Sequence, residues 1–367
     1  MVLNLVALLG DFMSVMTTIL YIGIAILVLL LMITIHELGH YTFGKIFHFK
    51  INEFAIGFGK AIFQKKLKSG ELFSIRIFPL GGYCAFAGED EEDKDPGAFN
   101  NQKPWKRLIV QFGGVLFNFL SAIIFAFILL VSFGYDIPRV DSVGDYYIQQ
   151  AQESGHDILE SGDVIRQVNG VNVDYVTGNS FVTMVAQYEI GDNFTLTVDR
   201  NINGTMQSVT LNVTKYADPN NAENTSGVLG VTKTSAYTYN FIEALIKCVP
   251  LTLAMAWQVL VFLFMLITGQ VGIHDIGGPI TTISTIAEYS QINIANLFVF
   301  LPFIAVNLAV FNFLPFPALD GARMVFTTIE WVRKKPVNRN VEGMIHFVGL
   351  CILLAFVVIV DIVHFIS

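Results

Sequence analysis

Five consecutive residues, His36-Glu37-Leu38-Gly39-His40, have the types and spacing for metal chemistry. On a helix, positions i and i+4 share one face, so both imidazoles can bind a single ion while Glu37 stands beside it. A hydrolytic site of this kind needs a third protein ligand and keeps one position open. The chemistry implied is metal-assisted hydrolysis of a peptide bond. The metal polarises the scissile carbonyl and Glu37 serves as general base towards water. An acidic residue is needed to complete the set, and Asp320, within Leu314-Pro315-Phe316-Pro317-Ala318-Leu319-Asp320-Gly321, is the candidate. Two His and one Asp with an open position favour zinc over magnesium or calcium, with iron and cobalt satisfying the same donors.

The elements that must bring these residues together are membrane spans. The chain has 367 residues, of which 53% are hydrophobic and 14% charged, against roughly 25% charged in a soluble domain. That deficit, with its long uncharged runs, places the chain in the membrane class. A span needs about 20 apolar residues. Phe12 to Ile35, Leu108 to Tyr135, Tyr289 to Leu319 and Gly343 to Val360 meet that requirement. A fifth stretch, Cys248 to Ile273, is ambiguous from hydropathy alone. Cys84, Cys248 and Cys351 are far apart in sequence and form no metal-binding pair. The first residues lack the basic region of a signal peptide.

Loop charge decides the topology, because cytoplasmic loops are rich in Lys and Arg. Lys45, Lys50, Lys60, Lys65, Lys66, Lys68 and Arg76 follow the first span, and Lys103, Lys106 and Arg107 abut the second. Arg323, Arg333, Lys334, Lys335 and Arg339 follow Leu319, whereas Gln270 to Leu319 holds no Lys or Arg. Both basic loops therefore face the cytoplasm, and the segment around 241–269 is expected to lie along the outer interface. His40 and Asp320 then reach one membrane depth near the cytoplasmic side. Pro315 and Pro317 break the helix beside Asp320, which is tolerated at membrane depth only around a buried, hydrated site. Asp361, the rival ligand, falls at the outward end of the fourth span. His48, His156, His274, His346 and His364 are isolated, and only His346, inside the fourth span, is flagged as a possible support for the ligands.

Residues 136–233 read differently. Ser161 to Ile165 and Val168-Asn169-Gly170 suggest strand and turn, and Phe194 to Val198 and Val209 to Val213 alternate across an Asn203-Gly204 turn, a hairpin signature. Nearer the N-terminus, Phe63 to Leu67 and Phe73 to Phe78 flank Lys68-Ser69-Gly70-Glu71, and the acidic run Glu89 to Asp95 reads as a solvated loop. The expected fold is thus a polytopic α-helical membrane protein of about four transmembrane helices, with a membrane-associated β-hairpin and an inserted extracytoplasmic β domain. Its parts are a first transmembrane helix with the His-Glu motif (1–40), a cytoplasmic-side loop with the hairpin (41–107) and a second transmembrane helix (108–135). The β domain (136–233), amphipathic interfacial helices (234–288), a third transmembrane helix (289–321), a cytoplasmic loop (322–342) and a fourth transmembrane helix (343–367) follow.

These motifs resemble the site-2 protease family, in particular bacterial members that carry one PDZ domain between the second and third spans, and the resemblance covers nearly the whole chain. His36 to His40 matches the family's HExxH motif and Leu319-Asp320-Gly321 its LDG motif. Asn307, Asn312, Pro315 and Pro317 fall where the family has substrate-facing residues on an unwound segment. Pro79 to Tyr83, Ala98 to Asn101 and Gly278-Pro279-Ile280 also fit. The chain departs from the pattern at Gly114-Val115 ahead of Asn118, where Gly-Pro is common, at Ala322-Arg323 in place of Gly-His, and near Val140 to Ala151, where the PDZ carboxylate-binding loop is not evident. The resemblance implies a zinc endopeptidase that cuts within the membrane, holds Zn2+ on His36, His40 and Asp320, and uses Glu37 as base. Its substrates would be single-span membrane proteins, either anti-sigma factors already trimmed outside or signal-peptide remnants. Such a substrate would unwind and add as a strand to the edge of the 61–78 hairpin, with Asn312 on its other side. No nucleic-acid partner is expected. A metal or solute transporter would instead scatter ionisable residues along several spans, and an inactive PDZ scaffold would have no need of a complete ligand set.

Overall fold

The computed structural model describes residues 2–89, 93–135, 137–173, 179–217, 229–272 and 276–366. Asp90, Glu91 and Glu92 of the acidic run, and His274, lie outside the described residues. These residues form two compact units, one of 1–125 with 255–367 and the other of 126–254.

The first unit begins with helix α1 (Val2–Ile46). It is longer than the expected first span at both ends, and no Gly-Pro punctuation stops it before His48, whose φ is +60°. Strands β1 (Ile51–Lys66) and β2 (Leu72–Phe86) follow, so the hairpin reaches well beyond 61–78. The two strands fold over one another. Residues 54–56 of β1 pair with 82–84 on one side and run alongside 73–75 on the other, while 63–66 pair back onto 72–75. The corner is made by Gly57 and Gly59, at φ of +87° and +85°, where a side chain would be strained. Glu71, only 2% exposed, ties the hairpin turn to α1. It accepts hydrogen bonds from Tyr41 Oη and Ser69 Oγ at 2.8 Å and pairs with Lys45 Nζ at 2.8 Å. Burial alone would push its carboxyl up, but contacts from Lys45, its own backbone amide, Tyr41 and Ser69 outweigh that and hold it down at about 2. The hairpin therefore stays charge-locked to α1 at any physiological pH.

Helix α2 (Pro104–Ser132) opens on a proline, whose missing N–H costs nothing in the first turn. Within the second unit, β3 (Pro138–Val143), α3 (Asp145–Ser154), β4 (Val164–Val168), β5 (Val171–Asn172), α4 (Phe181–Ala186), β6 (Asn193–Ile202), β7 (Thr205–Thr214) and β8 (Val231–Ala236) build an antiparallel sheet ordered β7-β6-β4-β3-β8, with β5 against β4. Asn203 and Gly204, at φ of +53° and +86°, make the two-residue turn between β6 and β7. Val140, Ile165, Leu196 and Val198 fill the core beneath the sheet.

Helix α5 (Phe241–Ile267) is 27 residues long with Pro250 inside it. Expected as an interfacial stretch, it is long and apolar enough to cross a membrane. So are four others among the described residues: Val15–Ile46 of α1, α2, Ala295–Phe313 and Arg339–His364, giving five where four were expected. The expected third span, 289–321, is not one helix. Helix α6 (Pro279–Ile292) ends at an extended Asn293, α7 (Ala295–Phe313) follows, and the chain is non-helical from Leu314 until α8 (Asp320–Arg333). The prolines explain the break, since each forces the residue before it out of the helical region and removes a backbone donor. Helix α9 (Arg339–Ile366) completes the chain. Helix α8 is pinned by the ion pairs Arg107–Glu330 and Arg323–Glu89, so the residue that departs from the LDG neighbourhood pattern serves a local structural contact.

Candidate metal centre

His36, His40 and Asp320 come together in the first unit, one ligand atom from each lying within 4.8 Å of the others. His36 Nε2 and His40 Nε2 are 3.2 Å apart, with the rings edge to face. Asp320 Oδ2 lies 2.9 Å from His36 Nε2 and 3.2 Å from His40 Nε2. Asp320 does not end a span as expected but is the first residue of α8, with Leu319 in extended geometry before it. Gly321 permits this, because a Cβ there would run into the carbonyls of Phe313 and Leu314 at the end of α7.

The partners on the far sides of the imidazoles fix what the near sides offer. His40 Nδ1 is 2.8 Å from the Val110 carbonyl, which only accepts, so Nδ1 carries the proton and a neutral ring turns a lone pair at Nε2 towards the cluster. His36 Nδ1 is 3.1 Å from the side-chain amide of Asn118, which is wholly buried. The amide atom facing the ring is Nδ2, which donates, so His36 Nδ1 accepts. Asp320 Oδ2 is buried and receives no hydrogen bond despite the short distances to both rings. A buried carboxylate oxygen with no donor, within 3.2 Å of two imidazole nitrogens, is costly unless a cation lies between them. The donor set fits a zinc ion, whose protein ligands are nitrogen, oxygen or thiolate sulfur.

Helix α2 closes the back of the centre through glycines. Gly39 of α1 meets Gly113 backbone to backbone, so that a Cβ on Gly113 would stand 2.7 Å from the Gly39 carbonyl oxygen. A Cβ on Gly114 would stand 2.5 Å from His40 Nε2 and 2.7 Å from His36 Nε2, in the space before the ligand atoms. Sequence reasoning assigns none of Gly39, Gly113, Gly114 and Asn118 a part in the centre. The available signal was three glycines within apolar helical runs that contain no turn.

Glu37, half-buried, makes no hydrogen bond or ion pair within the described residues. The β segment that passes beside it is 80–86: a Cβ on Gly82 would lie 3.5 Å from Glu37 Cγ. This segment is the second arm of β2, which pairs with β1 and with no other strand among the described residues. Asn307 and Asn312 of α7 are not drawn into the cluster. Their amides donate to Phe303 O at 2.8 Å and Leu308 O at 3.0 Å on their own helix. Pro315 and Pro317 occupy the non-helical link to α8. Asp361 lies in another place altogether: its carboxylate caps α6, accepting from Thr281 N at 3.2 Å, Thr281 Oγ1 at 3.0 Å and Ile280 N at 3.3 Å. It is buried, and those donors replace water.

Helices long enough to cross a bilayer, carrying an HExxH pair that converges with an aspartate, define a membrane metalloprotease. Comparison with known proteins agrees. Residues 24–356 match peptidase family M50. A relative from Clostridium acetobutylicum is 30% identical across 93% of this chain and 96% of its own length, and one from Fusobacterium nucleatum is 31% identical across 92% and 96%. The zinc metalloprotease RasP of Oceanobacillus iheyensis is 25% identical across 90% and 95%. All three are named as zinc metalloproteases. The chain belongs to peptidase family M50, and its cofactor is zinc.

Proposed function

We propose that this protein cleaves peptide bonds inside the transmembrane segments of single-span membrane proteins, as a step of regulated intramembrane proteolysis on trimmed anti-sigma factors or signal-peptide remnants. The observation that carries this reading is the placement of His36 and His40 within Val15–Ile46, a helical stretch apolar enough to lie in the bilayer. Zinc on His36, His40 and Asp320 would supply a Lewis acid that polarises the scissile carbonyl and activates water near neutral pH. Glu37 takes the proton of the attacking water and returns it to the leaving amide nitrogen. A substrate helix has its backbone groups closed on itself and must unwind to be cut. The free edge of residues 80–86 beside Glu37 accepts the freed N–H and C=O groups as an added strand. Asn312 holds that strand from the opposite side, and Asn307, Pro315 and Pro317 line its path.

The basic loops support an orientation with this centre near the cytoplasmic face and the sheet of the second unit outside. There the sheet acts as a PDZ-like filter that admits substrates already shortened.

The test is cleavage of a purified single-span reporter by the full-length protein in liposomes, with the cut located by mass spectrometry. The expected result is a cut within the span, stopped by a zinc chelator and restored by zinc. Cuts found only in soluble peptides or outside the span would overturn the intramembrane reading.

A further inference from the structure

Asp320 enters the cluster from a short link whose shape is unusual for its sequence. Ala318, two residues before it, has φ of +84°. Of the described non-glycine residues with positive φ, two are asparagines, which favour that region, but Ala318 has no polar side chain to help hold it there. Something outside the link has to keep it in that conformation.

Helix α9 makes the contact. His346 Nδ1 accepts the Ala318 backbone N–H at 3.0 Å, which places the proton of a neutral ring on Nε2. One turn on, Gly349 is buried against the link, where a Cβ would stand 2.7 Å from the Pro317 carbonyl oxygen. The neighbours Met344, Ile345, Phe347, Val348 and Leu350 are all exposed, so His346 and Gly349 are the inward face of α9 at this level. Phe326, on the helix that Asp320 begins, packs its ring 5.6 Å from His346.

We propose that His346, with Gly349, is a positioning element of the metal centre: it clamps Ala318 in the left-handed conformation and thereby aims Asp320 at His36 and His40. His346 touches neither ligand nor substrate and acts through the backbone. The inference rests on the metallopeptidase reading of the same centre, yet it predicts a zinc affinity that is measurable without any substrate.

The test uses the full-length protein in detergent, with zinc affinity from chelator competition and kcat and KM from the single-span reporter. His346→Ala is expected to weaken zinc binding about ten-fold or more, the usual scale for a lost supporting partner, and to lower kcat at unchanged KM. His346→Asn places an acceptor oxygen where Nδ1 stood and is expected to recover most of the loss. In the Ala318→Gly background the loss from His346→Ala should shrink, because glycine adopts this φ without a clamp. Zinc affinity unchanged in His346→Ala, no advantage of Asn over Ala, or an equal loss in the Ala318→Gly background would each overturn the proposal. If His346→Ala does not accumulate, Gly349→Ala probes the clamp through Pro317, with weaker zinc binding expected and unchanged binding contradicting it. A fall in zinc affinity in a protein whose parent shows no Glu37-dependent cleavage would defeat the peptidase reading and leave the clamp intact.

Discussion

Glu37→Gln is expected to bind zinc as tightly as the parent and to lose cleavage of the membrane reporter by about 10²–10⁴-fold, the range for removal of a general base. The separation follows from the geometry. His36, His40 and Asp320 form the ligand cluster without Glu37, whose carboxylate makes no hydrogen bond or ion pair among the described residues. The change from carboxylate to amide keeps the shape and removes the basic oxygen. Zinc content and single-turnover cleavage, measured on one preparation, check both halves. Near-normal cleavage would remove Glu37 from the chemistry, and loss of zinc would assign it a structural part.

The second large effect is expected from one methyl group. Gly114→Ala would place a Cβ 2.5 Å from His40 Nε2 and 2.7 Å from His36 Nε2, closer than real Cβ atoms stand. The neighbours cannot yield easily, because His40 is held by the Val110 carbonyl and His36 by Asn118. Zinc affinity should fall at least about 10–100-fold, as for other disturbances just outside a ligand set, and cleavage should fall with it. Gly343→Ala is the control: nothing lies within 4 Å of a Cβ at that helical position, so zinc and cleavage should be untouched. Chelator competition on the two variants decides the matter. Parent-like affinity in Gly114→Ala would mean that α2 does not close the back of the centre.

How much of this was legible beforehand depended on distance along the chain. The pair His36 and His40 lies on one helix face by spacing alone, so the motif could be read directly. Asp320 is 280 residues beyond His40 and is reached through loop charge, which sets both at one membrane depth, and through the family's LDG motif. The prolines at 315 and 317 gave the break before Asp320 but not its sequel, the start of a new helix on which Asp320 is the first residue. The contact of Gly39 with Gly113 left no trace in a hydropathy pattern, since a glycine facing lipid and one facing a helix look alike. Asn118 stood out only through the family pattern. His346 was flagged for its depth, but its bond to Ala318 joins two segments whose approach no local signal reveals. The reading of α5 as interfacial rested on charge bookkeeping across loops, whereas its length alone would allow a crossing.

The claim on which everything rests is that two imidazoles and one carboxylate from separate helices grip a single zinc ion. X-ray absorption at the zinc edge of the purified, zinc-loaded protein tests it most directly. The account predicts a first shell of nitrogen and oxygen alone, including two imidazoles, that loses one light scatterer in Asp320→Ala. A sulfur shell at about 2.3 Å, or a spectrum unchanged by Asp320→Ala, would contradict it.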